Sequence, residues 1–139
     1  MDIHVTRLKL ANYPIQKAKI EIPYKFPTFN AYINECRKNK FSSAKMKKQI
    51  EEDISWYLVK VPKYTKPVRI IFNWTIGKSK GRTPDLDNLS YAKKFILDSL
   101  VSLGKIQDDN RKNVTGFTDN FDYGEEYKVE LEIYEEQDI

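Results

Sequence analysis

Histidine and cysteine are almost missing from this chain: its 139 residues include one of each. A lone His4 excludes a Ser–His–Asp or Cys–His catalytic arrangement within one chain, and every multi-histidine metal site. A lone Cys36 excludes an internal disulfide and argues against a cysteine-based zinc site. No apolar run approaches the roughly 20 residues that span a bilayer, so no membrane partner is expected. The opening Met1-Asp2-Ile3-His4-Val5 lacks a basic stretch followed by an apolar one, so no signal peptide is expected and the expected location is cytoplasmic. Repeats, low-complexity tracts and linkers are absent too. Any enzymatic chemistry must rest on carboxylates, lysines, tyrosines or a metal held by oxygen.

Hydrophobic residues make up 40% of the chain and aromatics 13%, which suits one folded domain over residues 1–139. Charge is uneven. Residues 1–84 carry 18 basic and 6 acidic side chains, a net of +12, whereas 85–139 carry 6 and 14, a net of −8. A polyanion would suit the first half and a divalent cation the second; interleaving of the halves, with mutual neutralisation, is the plainer expectation.

Alternation predicts strands over 3–10 and 17–24, with Asn12-Tyr13-Pro14 between them. An aromatic-rich loop is expected from Pro23 to about Phe41, with Phe26 and Phe29 tacking it to the core. A helix is expected over about 43–60, capped by Ser42 or Ser43, with Met46, Ile50, Ile54 and Tyr57/Leu58 inward. Residues 68–76 read as the clearest strand and Gly77 to Gly81 as a basic turn. A second helix is expected over about 88–103, ended by Gly104, followed by strands at 113–118 and 127–135. Trp56 and Trp74 are both expected in the core, and Glu135 to Asp138 as a frayed end. The fold class is α/β (α+β): a mixed β-sheet of about four to five strands covered by two main helices.

The segment Thr83-Pro84-Asp85-Leu86-Asp87-Asn88 concentrates chemistry. Pro84 makes Thr83 extended, and in an extended segment Asp85 and Asp87 point the same way, just ahead of a helix whose dipole favours negative charge. Oxygen ligands from a short loop suit Mg²⁺ or Mn²⁺. The competing reading is a helix cap by Asp87 or Asn88 with Asp85 solvated. Asp87, Tyr91, Lys94 and Asp98 follow at helical spacing, which would bring the Lys94 ammonium toward the carboxylates, or else only pair it with Asp98. Asp108 and Asp109 could bring a third carboxylate back on a return loop.

Pro84-Asp85-Leu86-Asp87-Asn88-Leu89, then Lys94-Phe95-Ile96-Leu97-Asp98-Ser99-Leu100, then Asp108-Asp109 together resemble the RusA family of Holliday junction resolvases. Ile22-Pro23 through Pro27-Thr28-Phe29-Asn30 is similar to that family's proline-rich opening, and the resemblance covers about residues 18–134. One departure stands out. The family places its lysine four residues after the second Asp, where this chain has Tyr91; counting back from Asp98 gives Lys94, with Lys93 as rival. The resemblance implies a RusA-like fold and an Mg²⁺-dependent, structure-selective endodeoxyribonuclease (Mn²⁺ a possible substitute) acting as a homodimer on four-way DNA junctions in recombination and repair. It carries metal binding to Asp85, Asp87 and Asp109, and catalysis to these three with Lys94. Arg69, Lys78, Lys80, Arg82, Lys93, Lys45, Lys47 and Lys48 are the candidate DNA-binding residues. A bacterial or phage/prophage origin fits this resemblance. The alternative is a non-catalytic branched-DNA-binding module of the same fold.

Overall fold

A computed structural model describes residues 17–78 and 83–136. The expected strand at 3–10, His4, Lys80 and Arg82 lie outside the described residues. The elements run β1 (Lys17–Ile22), α1 (Phe29–Lys38), α2 (Lys40–Leu58), β2 (Val68–Ile76), α3 (Leu86–Ser90), α4 (Lys93–Ser102), β3 (Val114–Tyr123) and β4 (Lys128–Glu135). Among the described residues the strands form one mixed sheet in the order β1-β4-β2-β3. β4 is antiparallel to both β1 and β2, and β2 is parallel to β3. A parallel neighbour needs a long crossover, and α3 and α4 provide it.

The alternation seen in the sequence decides which sheet face is covered. Val68, Ile70, Phe72, Trp74 and Ile76 of β2, with Val129, Leu131 and Ile133 of β4, are buried. The other face is polar and laced by the charges of the two halves of the chain: Lys17 meets Glu132, Lys19 meets Glu130, Lys128 meets Glu21 and Arg69 meets Glu136. The halves do interleave and neutralise each other.

Several expectations need correction. The loop expected up to Phe41 contains α1, whose N-terminus is capped by Thr28 accepting from the Ala31 amide at 3.2 Å. Its apolar residues Phe29, Tyr32, Ile33 and Cys36 do follow helical spacing, and Pro23 and Pro27 just ahead of them mark the preceding stretch as a loop. The next helix starts earlier than expected: Asn39, not Ser42 or Ser43, is its cap, accepting from the Ser42 amide at 2.8 Å. Trp56 is 77% exposed rather than in the core. Ile50, Ile54 and Leu58 share the buried face at four-residue spacing, and a residue two positions from Ile54 lies on the far side of a helix with 3.6 residues per turn. The single helix expected at 88–103 is two, α3 and α4, broken at Tyr91 and Ala92, where i→i+3 bonds such as Ala92 N–H to Leu89 O take over. β3 runs to Tyr123 because every residue from Gly116 to Tyr123 has a partner on β2. The acidic end is anchored as far as it is described: the Glu136 amide donates to Pro67 O at 2.8 Å and its carboxylate meets Arg69 and Thr115.

Other expectations hold. Gly104 adopts φ 72 just after α4, the left-handed conformation that ends a helix at low cost only with glycine. Phe26 is buried, stacked on Phe95 with ring centres 6.5 Å apart and edge-on to Trp74.

Tyr64 carries a testable anomaly: it is 5% exposed and its hydroxyl has no hydrogen-bond partner among the described residues. Burial, then the charge of Glu135, pushes its pKa up from 10.0 to about 12. A raised phenol pKa favours the protonated folded state, so this contribution is complete below pH 10 and is lost as the pH climbs toward 12. Tyr64→Phe removes an unpaired buried hydroxyl without changing shape, so the melting temperature should stay level or rise, by up to about 1 kcal/mol of stability. A fall of several degrees in a thermal melt at pH 7 would show that the hydroxyl does make a bond.

Candidate active site

The crossover that follows β2 carries Asp85 and Asp87 at the start of α3 and Lys94 on α4. Gly77 starts it, and must be glycine: an added Cβ would come within 2.5 Å of the Tyr127 backbone nitrogen. Asp85 is the last extended residue (φ −65, ψ 153) before α3, and it occupies the cap position without making a cap hydrogen bond. Asp87 is already in the first helical turn. The strand-like alternation that would aim the two carboxylates together therefore ends at Asp85. Both carboxylates are exposed, and among the described residues neither takes part in an ion pair or side-chain hydrogen bond. The capping reading loses its support.

Beside Asp85 lies a cavity of about 390 Å³, lined also by Thr83, Asn88, Lys25, Asn30 and Tyr127. Asn30 closes the proline-rich opening read in the sequence, whereas nothing in the sequence points to Lys25. They arrive from the β1–α1 connection, which Phe26 pins to the core, and no local pattern ties them to Asp85. Lys25 lies over the Tyr127 ring at 4.8 Å.

Lys94 stands at a second group of charges. Its Nζ donates to Asp109 Oδ2 at 2.9 Å and lies 3.1 Å from Asp98 Oδ1. The other Asp98 oxygen, Oδ2, is 2.8 Å from Lys47 Nζ. The hydrogen bond to Asp109, then that to Asp98, raises the Lys94 pKa, and the Lys94 hydrogen bond holds the Asp109 carboxyl below its ordinary value. Lys94 is thus a cation at neutral pH, suited to stabilising negative charge and unsuited to acting as a base. Asp108 turns back on its own loop, accepting from the Asp109 amide at 2.7 Å.

The rival lysine is elsewhere. Lys93 is bonded to Asp119 of β3, which also accepts from the Trp74 indole at 2.9 Å, and it lies against the Phe117 ring at 5.3 Å. Its charge is committed to the sheet. Tyr91, placed on one stripe with Asp87 and Lys94 by helical spacing, instead packs on Phe29 at 4.6 Å and on Tyr32, because the chain breaks there. Of the candidate DNA contacts, Lys45 and Lys48 are exposed on α2, Lys78 pairs with Glu125 at 2.8 Å, and Arg69 sits on the polar sheet face with Glu136. Lys47 faces Asp98.

The donors near α3 fit a hard cation. Mg²⁺ is ordinarily held by one or two carboxylates, with substrate phosphate and water completing its shell. Asp85 and Asp87 are two uncommitted carboxylates, and Asn88, Asn30 and Thr83 add neutral oxygens beside Asp85. Asp109 is not gathered with them: among the described residues no three His, Cys, Asp or Glu side chains form a group that could hold one ion. No helix among those residues is long and apolar enough to cross a membrane.

No individual curated protein matches the sequence. The family model for endodeoxyribonuclease RusA matches residues 7–134. The D-x-D-N segment before α3, Lys94 on α4 and the Asp108-Asp109 loop thus lie in a match that takes in nearly the whole chain, and the protein belongs to the RusA family of endodeoxyribonucleases, metal-dependent enzymes that resolve Holliday junctions.

Proposed function

We propose that this chain is an Mg²⁺-dependent, structure-selective endodeoxyribonuclease that resolves four-way junctions as a homodimer by paired phosphodiester hydrolysis. The observation that supports the reading is that Asp85 and Asp87, at the start of α3, are unclaimed carboxylates, while Lys94 on α4 is a cation held at Asp109. Asp85 and Asp87 would hold the ion; Asp109, which stands apart from them, instead fixes the Lys94 ammonium. When bound, the ion acidifies water and offsets negative charge at the phosphate. Lys94 adds a fixed ammonium that neutralises charge developing on the phosphate oxygens. Lys25 and Asn30, beside Asp85, orient the DNA backbone, and Lys45 and Lys48 supply further phosphate contacts. Two nicks placed symmetrically on a two-fold junction call for two related sites, hence the dimer. Branch geometry, rather than base contacts, gives selectivity. The same reading has the protein act in the cytoplasm of a bacterial cell, where such DNA lies.

The experiment is cleavage of a labelled synthetic four-way junction, with a linear duplex of the same sequence as control, in Mg²⁺, Mn²⁺ and EDTA. Paired nicks in the junction alone, present in Mg²⁺ and absent in EDTA, are expected. Binding should weaken as salt rises, because phosphate contacts release counterions. Junction binding without cutting in every metal would instead make the chain a non-catalytic branched-DNA-binding module.

A further inference from the structure

Lys94 is the only ammonium among the described residues with two carboxylates this close, and one of those has an additional cation behind it. We propose that Asp98 is a positioning residue for Lys94 and that Lys47 is its support, so that α2, which carries no part of the D-x-D-N segment, sets where the lysine stands. The inference rests on the reading of Lys94 given above and names what holds it.

The geometry is directional. The Asp98 carboxylate divides its oxygens: Oδ2 faces Lys47 of α2 at 2.8 Å and Oδ1 faces Lys94 of α4 at 3.1 Å. A lysine has four rotatable carbons and roams when exposed, and the Lys94 side chain is 55% exposed. Two carboxylates from different segments, Asp98 on the same helix and Asp109 on the return loop, restrict it to one position. Asp98 is itself the more enclosed partner, its side chain 19% exposed, and Lys47 prevents it from turning away. Glu51 is the other acid beside Lys47, and Tyr32 and Tyr91 face the same charges. A Lys47 committed to Asp98 has less to offer a DNA phosphate than Lys45 or Lys48.

Surface ion pairs contribute little to folding, so a role in stability and a role in positioning part company. Asp98→Asn should leave the thermal melt and junction affinity within twofold or a degree or two of the parent, while single-turnover cleavage at saturating protein falls on the order of 10- to 100-fold, the range seen when a partner of a catalytic group is lost. Lys47→Met should lower cleavage in the same way, Lys47→Arg should restore it, and Lys47→Met added to Asp98→Asn should cost nothing more, because the two act as one unit. A second readout needs neither metal nor DNA. Acylation of lysine amines, mapped by mass spectrometry, should label Lys94 several-fold faster in Asp98→Asn and leave Lys48 unchanged. The proposal is overturned if Asp98→Asn changes neither cleavage nor Lys94 labelling, or if Lys47→Met acts only by weakening junction affinity, which would make Lys47 a DNA contact. Normal cleavage by Lys94→Ala would sink the catalytic role of Lys94; Lys94 labelling in Asp98→Asn then decides by itself whether Asp98 holds it.

Discussion

Asp85→Asn and Asp87→Asn should each abolish junction cleavage, by at least about 10³-fold, while junction binding and the fold persist. A thousandfold loss is about 4 kcal/mol of transition-state stabilisation at roughly 1.4 kcal/mol per tenfold. That is a reasonable share for an ion that both acidifies water and offsets phosphate charge. Asparagine keeps the shape and one oxygen but loses the negative charge that a hard cation requires. The fold has little reason to change. Both carboxylates are exposed and neither has an ion-pair partner among the described residues. Asn serves as well as Asp at the cap position that Asp85 occupies, and Asp87 contributes at most about 1 kcal/mol through the helix dipole. Single-turnover cleavage in Mg²⁺, a gel shift on the intact junction and a thermal melt separate the three quantities. Cleavage within a few-fold of the parent by either variant would remove that aspartate from the site; lost binding with a normal melt would make it a DNA contact instead.

The largest effect on stability is expected at Phe95. It is 2% exposed and stands where α4 meets the β1–α1 connection. Its ring stacks on Phe26 at 6.5 Å and meets Tyr32 and Tyr91 edge-on at 5.5 and 6.1 Å. Phe95→Ala removes the ring and leaves a cavity the neighbours cannot fill, a change that costs about 3–5 kcal/mol. Domains of this kind have only about 5–15 kcal/mol in total, so the melting temperature should fall by about 10–20 °C. Trp56→Ala provides the contrast. The indole is larger, yet it is 77% exposed, and its removal should change stability by no more than about 0.5 kcal/mol. Urea unfolding of both variants tests the pair. A Trp56→Ala loss as large as that of Phe95→Ala would put Trp56 back in the core.

Lys93 and Lys94 illustrate how much of the site could be read ahead of the structure. Counting back from Asp98 selects Lys94, and the i,i+4 relation to Asp98 is a helical neighbour relation that spacing alone predicts. The fate of Lys93 depends on Asp119, 26 residues away on β3, and on Phe117 beneath it, which no local pattern announces. Between the helices the difference is local. α2 was read from Ile50, Ile54 and Leu58 at helical spacing; α1 carries the same kind of spacing in Phe29, Tyr32, Ile33 and Cys36, but it is short and follows Pro23 and Pro27, whose turn chemistry reads as a loop.

Sequence alone determined the alternation of β2 and hence its buried face, the helix stop at Gly104, the spacing of the D-x-D-N segment, Lys94 and Asp108-Asp109, and the family to which the chain belongs. These rest on period, turn chemistry and spacing, all properties of neighbours along the chain. Tertiary structure alone decided that Lys25 and Asn30 stand beside Asp85, that the helix breaks at Tyr91, that Trp56 faces outward and that Asp98 joins Lys47 to Lys94. Each of these is set by groups brought together from distant segments, or by which side of a helix finds a partner, and only the packing of the whole chain makes that choice.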